Sequence, residues 1–232
     1  MNRSLLFTLF VLISIVVFIG ATSKTSFYDN ESMDIVNNPS ENSFVNSINI
    51  SQPAYYMALN GFYQLKTKGL LRNDSLITII DFSKTSDQDR FYIIDLKNEK
   101  ILKRTLVAHG IRSGSNQAKL FSNKNRSNKS SLGLFLTNET YFGKHGYSLR
   151  IDGMSKGIND NARKRAIVIH GAEYVSRKYI HYNGRIGRSY GCPALPIEET
   201  TEIINLIKNG TCLYIYHPSL IPISKASLEK LP

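Results

Sequence analysis

The amino-acid sequence predicts a mainly β domain, sandwich-like or barrel-like, with one helix before the first strand and one before the last. Short runs rich in β-branched and aromatic residues recur along the chain, bounded by turn residues. Two other segments combine apolar positions at helical spacing with start and stop signals. The chain has 232 residues, 42% of them hydrophobic, so it is long enough to bury a core of ordinary size.

The two helix predictions rest on their end signals. The first helix begins at residues 51–53, with Ser51 as the capping residue and Pro53 in the first turn, and it ends near Gly69. The second covers residues 196–208, with acidic residues in its first turn and a glycine after its end. The predicted strands are residues 75–80, 90–96, 100–108, 132–137, 166–169 and 211–216.

The first 50 residues predict export. An apolar run at residues 5–19 follows a short positive start, and small residues follow at 20–23. This pattern is typical of a secretory signal peptide over residues 1–22; an uncleaved anchor is the alternative, although the run is short for a membrane span. Residues 23–50 are rich in Asn, Ser and Asp and predict a flexible polar tether. We therefore expect a protein exported to the periplasm or cell envelope.

The chain is basic, with a formal net charge of +11. Such a charge suits nucleic acid, an anionic membrane or an anionic polymer such as a cell wall, and a solvated basic surface is an equally good explanation. The Lys and Arg residues are scattered and no nucleic-acid-binding motif is present, so we expect no nucleic-acid partner. We expect a monomer that touches the membrane only through its N-terminal segment, if that segment stays uncleaved.

The stretch GRIGRSYGCPALP, residues 184–196, places Cys192 between a glycine and a proline. A rigid turn of this kind suits a nucleophile that must stand clear of the backbone. Cysteine attacks as its thiolate and needs a nearby base or positive charge, which His170 at the end of a predicted strand can supply. Gly191 keeps side chains away from the scissile carbonyl, and the backbone N–H of Cys192 and its neighbours can form an oxyanion hole.

Several ordered motifs resemble the YkuD-type L,D-transpeptidases, whose pattern is His-Gly on a strand followed by Ser/Thr-x-Gly-Cys. His170 and Gly171 match the first half, and residues 189–192 match the second. Over roughly residues 55–217 the chain is most similar to the murein L,D-transpeptidase catalytic domain family. The similar stretches are VAHGIRSG (107–114), FSN (121–123), SSLG (130–133), YFGKHGYSLRIDG (141–153), RAIVIHGAEYVS (165–176) and GRSYGCPAL (187–195).

The resemblance implies an L,D-transpeptidase-like catalytic domain at residues 51–218, followed by a tail at 219–232, that acts on peptidoglycan without a cofactor or metal. Cys192 would attack the amide before the terminal D-Ala of a stem tetrapeptide, with His170 as its base. D-Ala would leave, a thioester would form, and an amine of a neighbouring stem would resolve it. The expected catalytic residues are Cys192, His170, Ser189 and Gly191. The residues expected to bind the substrate are Arg188, His109, Gly171, Ser131, Asn123 and Tyr190.

The chain departs from the common family pattern in three ways. The interval from His170 to Ser189 is slightly longer, Tyr190 stands where histidine is frequent, and Pro-Ala-Leu at 193–195 replaces the arginine that often follows the cysteine. Arg188 can bind the stem carboxylate in its place or form a surface ion pair. Ser189 can orient His170 or belong to the chemistry of the turn.

Other residues allow more than one interpretation. His109 lines the substrate groove or acts as a hydrogen-bonded loop histidine. Cys212 is interpreted as a buried apolar residue, and a disulfide between it and Cys192 would abolish the proposed enzyme. The remaining histidines have no motif support and are interpreted as surface or structural residues: His145, His181 and His217.

Three other functions stay open at this point. With water as the acceptor, the same thioester chemistry gives a carboxypeptidase or an endopeptidase. Without turnover, the chain is a cell-wall-binding module. A metal site built from His109, His170 and the two cysteines lacks the ligand spacing of known metal motifs.

Overall fold

The computed structural model describes residue 44 and residues 49–220. Residues 49–220 form eight strands, three α-helices and a short 3-10 helix. The helices are α1 (Gln52–Thr67), α2 (Arg177–Asn183) and α3 (Ile197–Ile207), and the 3-10 helix is Pro218–Leu220. The strands are β1 (Leu76–Asp81), β2 (Phe91–Asp95), β3 (Lys100–Thr105), β4 (Gly133–Gly143), β5 (Gly146–Gly153), β6 (Val168–Gly171), β7 (Ala194–Leu195) and β8 (Cys212–Tyr216).

The predicted signal segment, most of the tether and nearly all of the C-terminal tail lie outside the described residues, so their boundaries stay predictions. Within the described part of the chain, no helix has both the length and the apolar character needed to cross a membrane.

All eight strands of the described region belong to one sheet, in the order β3-β2-β1-β8-β4-β5-β6-β7. Neighbours are antiparallel except for β1 beside β8 and β6 beside β7. The two ends of the sheet meet through the chain that follows β3, because Ala108 pairs with Ala194 of β7 and its N–H donates to the Ala194 carbonyl at 2.8 Å. The sheet is therefore a nearly closed barrel, and the predicted mainly β, barrel-like fold is confirmed.

The middle of the sheet is covered on both faces. Every residue of β1 and of β8 is buried, and α1 packs against both strands. Helix α3 packs against β6 and β5. Strands buried on both faces do not need alternating polar residues, which explains the unbroken apolar runs that made these strands predictable.

The six predicted strands and two predicted helices all occur, and two strands and a helix were missed. Strand β5 forms a hairpin with β4 in which half-buried and exposed positions interrupt the buried ones, so its sequence lacks an apolar run. Strand β7 has two residues. Helix α2 buries no residue, although the Ser176 hydroxyl accepts the N–H of Tyr179 at its start and Gly184 follows its end in the left-handed conformation. Those two end signals were available in the sequence.

The predicted capping role of Ser51 is wrong. Ser51 precedes α1 with an extended backbone, but its side chain makes no capping hydrogen bond, and its own N–H donates to Asp81 Oδ2 at 3.2 Å. The start of α1 is thus fixed by a contact with the end of β1. The proline in the first turn and the end near Gly69 are confirmed.

Candidate active site

Cys192 lies in a tight turn just before β7. The hydroxyl of Ser189 closes this turn, since it donates to the Cys192 carbonyl at 2.6 Å and accepts the N–H of Gly191 at 3.0 Å. Gly191 has φ 127°, in the region that favours glycine, and a Cβ there would lie 2.9 Å from the carbonyl oxygen of Lys129. The turn therefore needs glycine at this position, and it presents a half-buried thiol.

His170 lies on β6, next to the short strand that follows Cys192. The pairing of β6 with β7 sets His170 opposite Ala194, and the His170 N–H approaches the Pro193 carbonyl at 3.4 Å. The two residues predicted as nucleophile and base therefore come from adjacent segments at one end of the barrel.

The ring of His170 is held by its own strand. Its Nδ1 lies 2.9 Å from the carbonyl oxygen of Gly171; because a carbonyl only accepts, Nδ1 carries the proton and Nε2 keeps a lone pair. Burial lowers the pKa of His170, and the charges of His145 and Lys144 lower it further. The ring is thus a neutral base at neutral pH. The group that orients it is the Gly171 carbonyl, whereas the contacts of Ser189 lie within the cysteine turn.

A second histidine stacks on the first. The rings of His145 and His170 have their centroids 4.3 Å apart and planes 20° apart. His145 lies in the turn between β4 and β5, and the pairing of Ser148 with His170 brings the start of β5 to the end of β6. The interpretation of His145 as a surface or structural residue missed this contact. His145 belongs to the family-like stretch YFGKHGYSLRIDG, but its place beside His170 follows from the pairing of β5 with β6, which the sequence did not predict.

The thiol of Cys192 is protonated in the resting site. Burial raises the pKa of Cys192, while a hydrogen bond from the Val168 backbone and the positive charges of Arg165 and Lys144 oppose that effect in part. Its Sγ donates to the Ala166 carbonyl at 3.6 Å. A neutral thiol can react by passing its proton to a neutral imidazole as it attacks.

Two backbone N–H groups of the turn, those of Tyr190 and Cys192, donate to no acceptor among the described residues. Gly191 donates its N–H to Ser189, and Pro193 has none. In the described part of the chain, the N–H of Cys192 has no hydrogen-bond acceptor. The Cys192 N–H, which belongs to the residue that carries the thiol, is therefore available for the oxyanion role expected from the sequence.

Two of the residues expected to bind substrate flank the cysteine turn. The side chain of Tyr190 is 76% exposed. Arg188 is half-buried, and its Nη1 donates to the carbonyls of Gly114 at 2.9 Å and Ile111 at 3.4 Å. Among the residues that the structure describes, Arg188 forms no ion pair, so the surface ion pair considered from the sequence is absent there.

His109 is not on the surface of the site. It is fully buried, Arg90 Nη2 donates to its Nδ1 at 2.8 Å, and its Nε2 lies 3.3 Å from the Gly114 carbonyl. Burial and the charge of Arg90 lower the pKa of His109 to about 3. We therefore propose that this neutral ring is a structural hydrogen bonder beneath the loop that also binds Arg188, which is the second of the two interpretations left open by the sequence.

The other three predicted binding residues make contacts within the protein. Ser131 is 2% exposed and its hydroxyl donates to the Ser122 carbonyl at 3.0 Å. Asn123 Nδ2 donates to Asp160 Oδ1 at 2.6 Å. At Gly171 a Cβ would lie 2.8 Å from Thr200 Oγ1, so glycine allows α3 to pack closely on β6. We propose a supporting role for these residues in place of the substrate contact expected from the sequence.

Both cysteines are free thiols. Cys212 is buried in β8, as the sequence predicts, and burial raises its pKa to about 12. Within the described residues, no group of three or more His, Cys, Asp or Glu side chains is placed to hold a metal ion. The four residues considered as a metal site therefore do not assemble into one.

A nearly closed barrel with a cysteine in a glycine turn, next to the strand that carries a buried histidine, is compatible with a cysteine-nucleophile enzyme. The chain matches the L,D-transpeptidase catalytic domain family over residues 46–216 and belongs to that family. The resemblance inferred from the motifs is thereby confirmed.

Comparison with solved structures gives distant matches. One is an L,D-transpeptidase from Mycobacterium smegmatis, with 10% sequence identity and a TM-score of 0.38 over 62% of this chain and 59% of that chain. A second is L,D-transpeptidase 1 from Mycobacterium tuberculosis, with 12% sequence identity and a TM-score of 0.35 over 62% of each chain. A third is the helical cell shape determining protein Pgp2 from Campylobacter jejuni, with 12% sequence identity and a TM-score of 0.38 over 69% of this chain and 54% of that chain. The chain spans 59% of the length of the first solved structures that it matches. No curated protein matched it.

Proposed function

We propose that this chain is an exported L,D-transpeptidase that exchanges peptide bonds of peptidoglycan through a thioester on Cys192. The observation that carries the proposal is the state of His170. Its Nδ1 is committed to the Gly171 carbonyl, and its Nε2 makes no hydrogen bond to the residues that the structure describes; the ring lies on the strand beside the segment that follows Cys192. Membership of the L,D-transpeptidase catalytic domain family supports this chemistry over that of other cysteine enzymes.

In the proposed reaction, Sγ of Cys192 attacks the carbonyl carbon of the donor amide while its proton passes to Nε2 of His170. The backbone N–H of Cys192 stabilises the oxyanion. The carbon–nitrogen bond then breaks, and His170 returns the proton to the departing amine of D-alanine. An amine of a second stem attacks the thioester, gives its proton to Nε2 of His170 and leaves a new amide, and the proton returns to Cys192.

Two features of the sequence support the proposed substrate and location. Peptidoglycan lies outside the cytoplasmic membrane, and the apolar run at residues 5–19 has the pattern of an export signal. The net charge of +11 favours approach to an anionic wall polymer. Export and substrate class are therefore consistent with one another.

The proposal is tested by product analysis. The purified, reduced protein is incubated with disaccharide-tetrapeptide muropeptides, and the products are identified by mass spectrometry. We expect a cross-linked dimer that lacks one D-alanine. Tripeptide with free D-alanine and no dimer would replace the transpeptidase by a carboxypeptidase, and unchanged tetrapeptide would favour a wall-binding module. The Cys192→Ala variant should be inactive, whereas Cys212→Ala, which removes the other thiol, should remain active.

A further inference from the structure

Arg165 lies in the loop before β6 and is fixed from several directions. Its Nη1 donates to the Ser122 carbonyl at 2.6 Å and to the Ser131 hydroxyl. Its Nη2 donates to the Lys129 carbonyl at 2.6 Å and to the Ser127 hydroxyl at 3.2 Å. These acceptors are all neutral, and they hold the planar guanidinium in one orientation.

The same guanidinium lies against the cysteine turn. Its Nη2 would be 3.4 Å from a Cβ placed on Gly191. In the described region no carboxylate lies within ion-pair distance of Arg165, whereas its exposed neighbour Arg163 pairs with Glu139 at 2.8 Å and with Asp152. A half-buried cation without an acidic partner is unfavourable unless an anion arises beside it.

The anion that arises at this place is the thiolate of Cys192. We propose that Arg165 is a positioning residue of the active site, whose fixed guanidinium is the counter-charge of that thiolate and joins the segment 122–131 to the cysteine turn. The inference rests on the proposed function, in which Cys192 is the nucleophile. It adds a permanent cation that stabilises negative charge on the sulfur while the proton passes to His170.

His170 is a poor counter-ion for the thiolate. Burial and the charges of His145 and Lys144 lower its pKa, which disfavours the imidazolium. Burial lowers the pKa of Arg165, and the negative charge of Cys192 raises it. Arginine stays charged over the whole working range of a protein, so its field does not depend on pH.

Other groups also face the thiol and must be separated from Arg165. Lys144, in the turn between β4 and β5, lowers the pKa of Cys192. Tyr174 follows β6 and its pKa is raised to about 12, mainly by burial and then by Cys192, so it stays neutral. Lys144 is thus the other permanent charge acting on the sulfur, and a Lys144 variant belongs in the test.

The test is the rate of Cys192 alkylation by iodoacetamide as a function of pH, with the modified residue identified by peptide mapping. Arg165→Gln should move the midpoint upward by about one pH unit, because an opposite charge nearby favours the ionised form. Arg165→Lys should keep most of the wild-type midpoint. Arg163→Gln, which removes a neighbouring charge that is already paired, should leave it unchanged. An unshifted midpoint in Arg165→Gln overturns the inference.

A second measurement does not require Arg165 to be replaced. In the Lys144→Gln protein, the ratio of the iodoacetate rate to the iodoacetamide rate at Cys192 should exceed that of reduced glutathione several-fold, since a remaining cation attracts the anionic reagent. A ratio equal to that of glutathione contradicts the inference even if Arg165→Gln fails to fold. Alkylation needs no peptidoglycan, so either result is independent of whether the protein cross-links muropeptides.

Discussion

Gly191 and His109 show how single residues maintain the site without touching a substrate. Gly191 adopts φ 127° so that the next residue can present its thiol. His109 is buried between Arg90 and the Gly114 carbonyl, and its own carbonyl accepts the N–H of Ser189 at 3.0 Å. Gly191 shapes the cysteine turn, and His109 supports that turn through its backbone contact with Ser189.

Replacing Gly191 with alanine should abolish most activity. The new Cβ would lie 2.9 Å from the Lys129 carbonyl, so the turn must shift, and a displacement of about 1 Å at a nucleophile lowers rates by roughly 100-fold. Steady-state transpeptidation measures this loss. Gly184→Ala is the control, because Gly184 also has a positive φ, 68°, but no atom lies within 4 Å of its Cβ position. A wild-type rate in Gly191→Ala would contradict the described turn.

His109 should make the fold sensitive to acid. Its pKa is lowered from 6.5 to about 3, so below about pH 6.5 the unfolded chain binds a proton that the folded chain refuses until about pH 3. The contribution of neutral His109 to the free energy of unfolding is therefore complete above pH 6.5. It falls as the pH is lowered, by at most about 1.4 kcal/mol per pH unit. Urea unfolding at pH 7 and pH 5 should show a smaller loss for His109→Gln than for wild type. The exposed His181→Gln should behave like wild type, and equal losses in all three proteins would exclude this effect.

At the scale of elements, the turn between β4 and β5 is the part of the site that the sequence did not predict. The motifs identified Cys192 and His170 because both lie in short, recognisable stretches. His145 and Arg165 act through strand pairing and loop contacts, which depend on neighbours far away in the chain. For the same reason the apolar strands were predictable, whereas β5 and α2, which lack a continuous apolar pattern, were not.

Two substitutions of His145 separate its stacking from its charge. The positive charge of His145 lowers the pKa of His170, so both His145→Phe and His145→Ala should raise that pKa and move the acid limb of kcat/KM to higher pH. Phenylalanine preserves the stacked ring, and alanine does not. We therefore expect a several-fold lower plateau kcat in His145→Ala alone. His181→Ala serves as the control. An acid limb that stays in place in both variants would exclude His145 as a neighbour that influences the base.

At the scale of the whole molecule, closure of the barrel connects the fold to the site. Ala194 is fully buried, pairs with His170 on one side and with Ala108 on the other, and follows Cys192 by two residues. The sequence predicted a barrel-like fold from its apolar runs. It could not predict this closure, because β7 has two residues and the bridge to Ala108 joins segments far apart in the chain.

A larger side chain at Ala194, where the barrel closes, should lower activity more than a larger side chain elsewhere in the core. Ala194→Leu should lower the free energy of unfolding by about 1–3 kcal/mol and also separate β6 from β7. Ala58→Leu, at an equally buried position in α1, should destabilise by a similar amount without changing the turnover of the folded fraction. Denaturant unfolding combined with active-site titration compares the two variants. Equal activity per folded molecule would show that the closure does not position the site.

The intact mass of the protein during turnover shows whether Cys192 carries the acyl group. The protein is mixed with a muropeptide donor whose own side-chain amine is acetylated, so that no amine acceptor is present, then quenched in acid and weighed by mass spectrometry. We expect an adduct with the mass of the donor minus D-alanine, located on Cys192, present in Cys212→Ala and absent from Cys192→Ala. Turnover without an adduct, or an adduct that persists in Cys192→Ala, would contradict this role of Cys192.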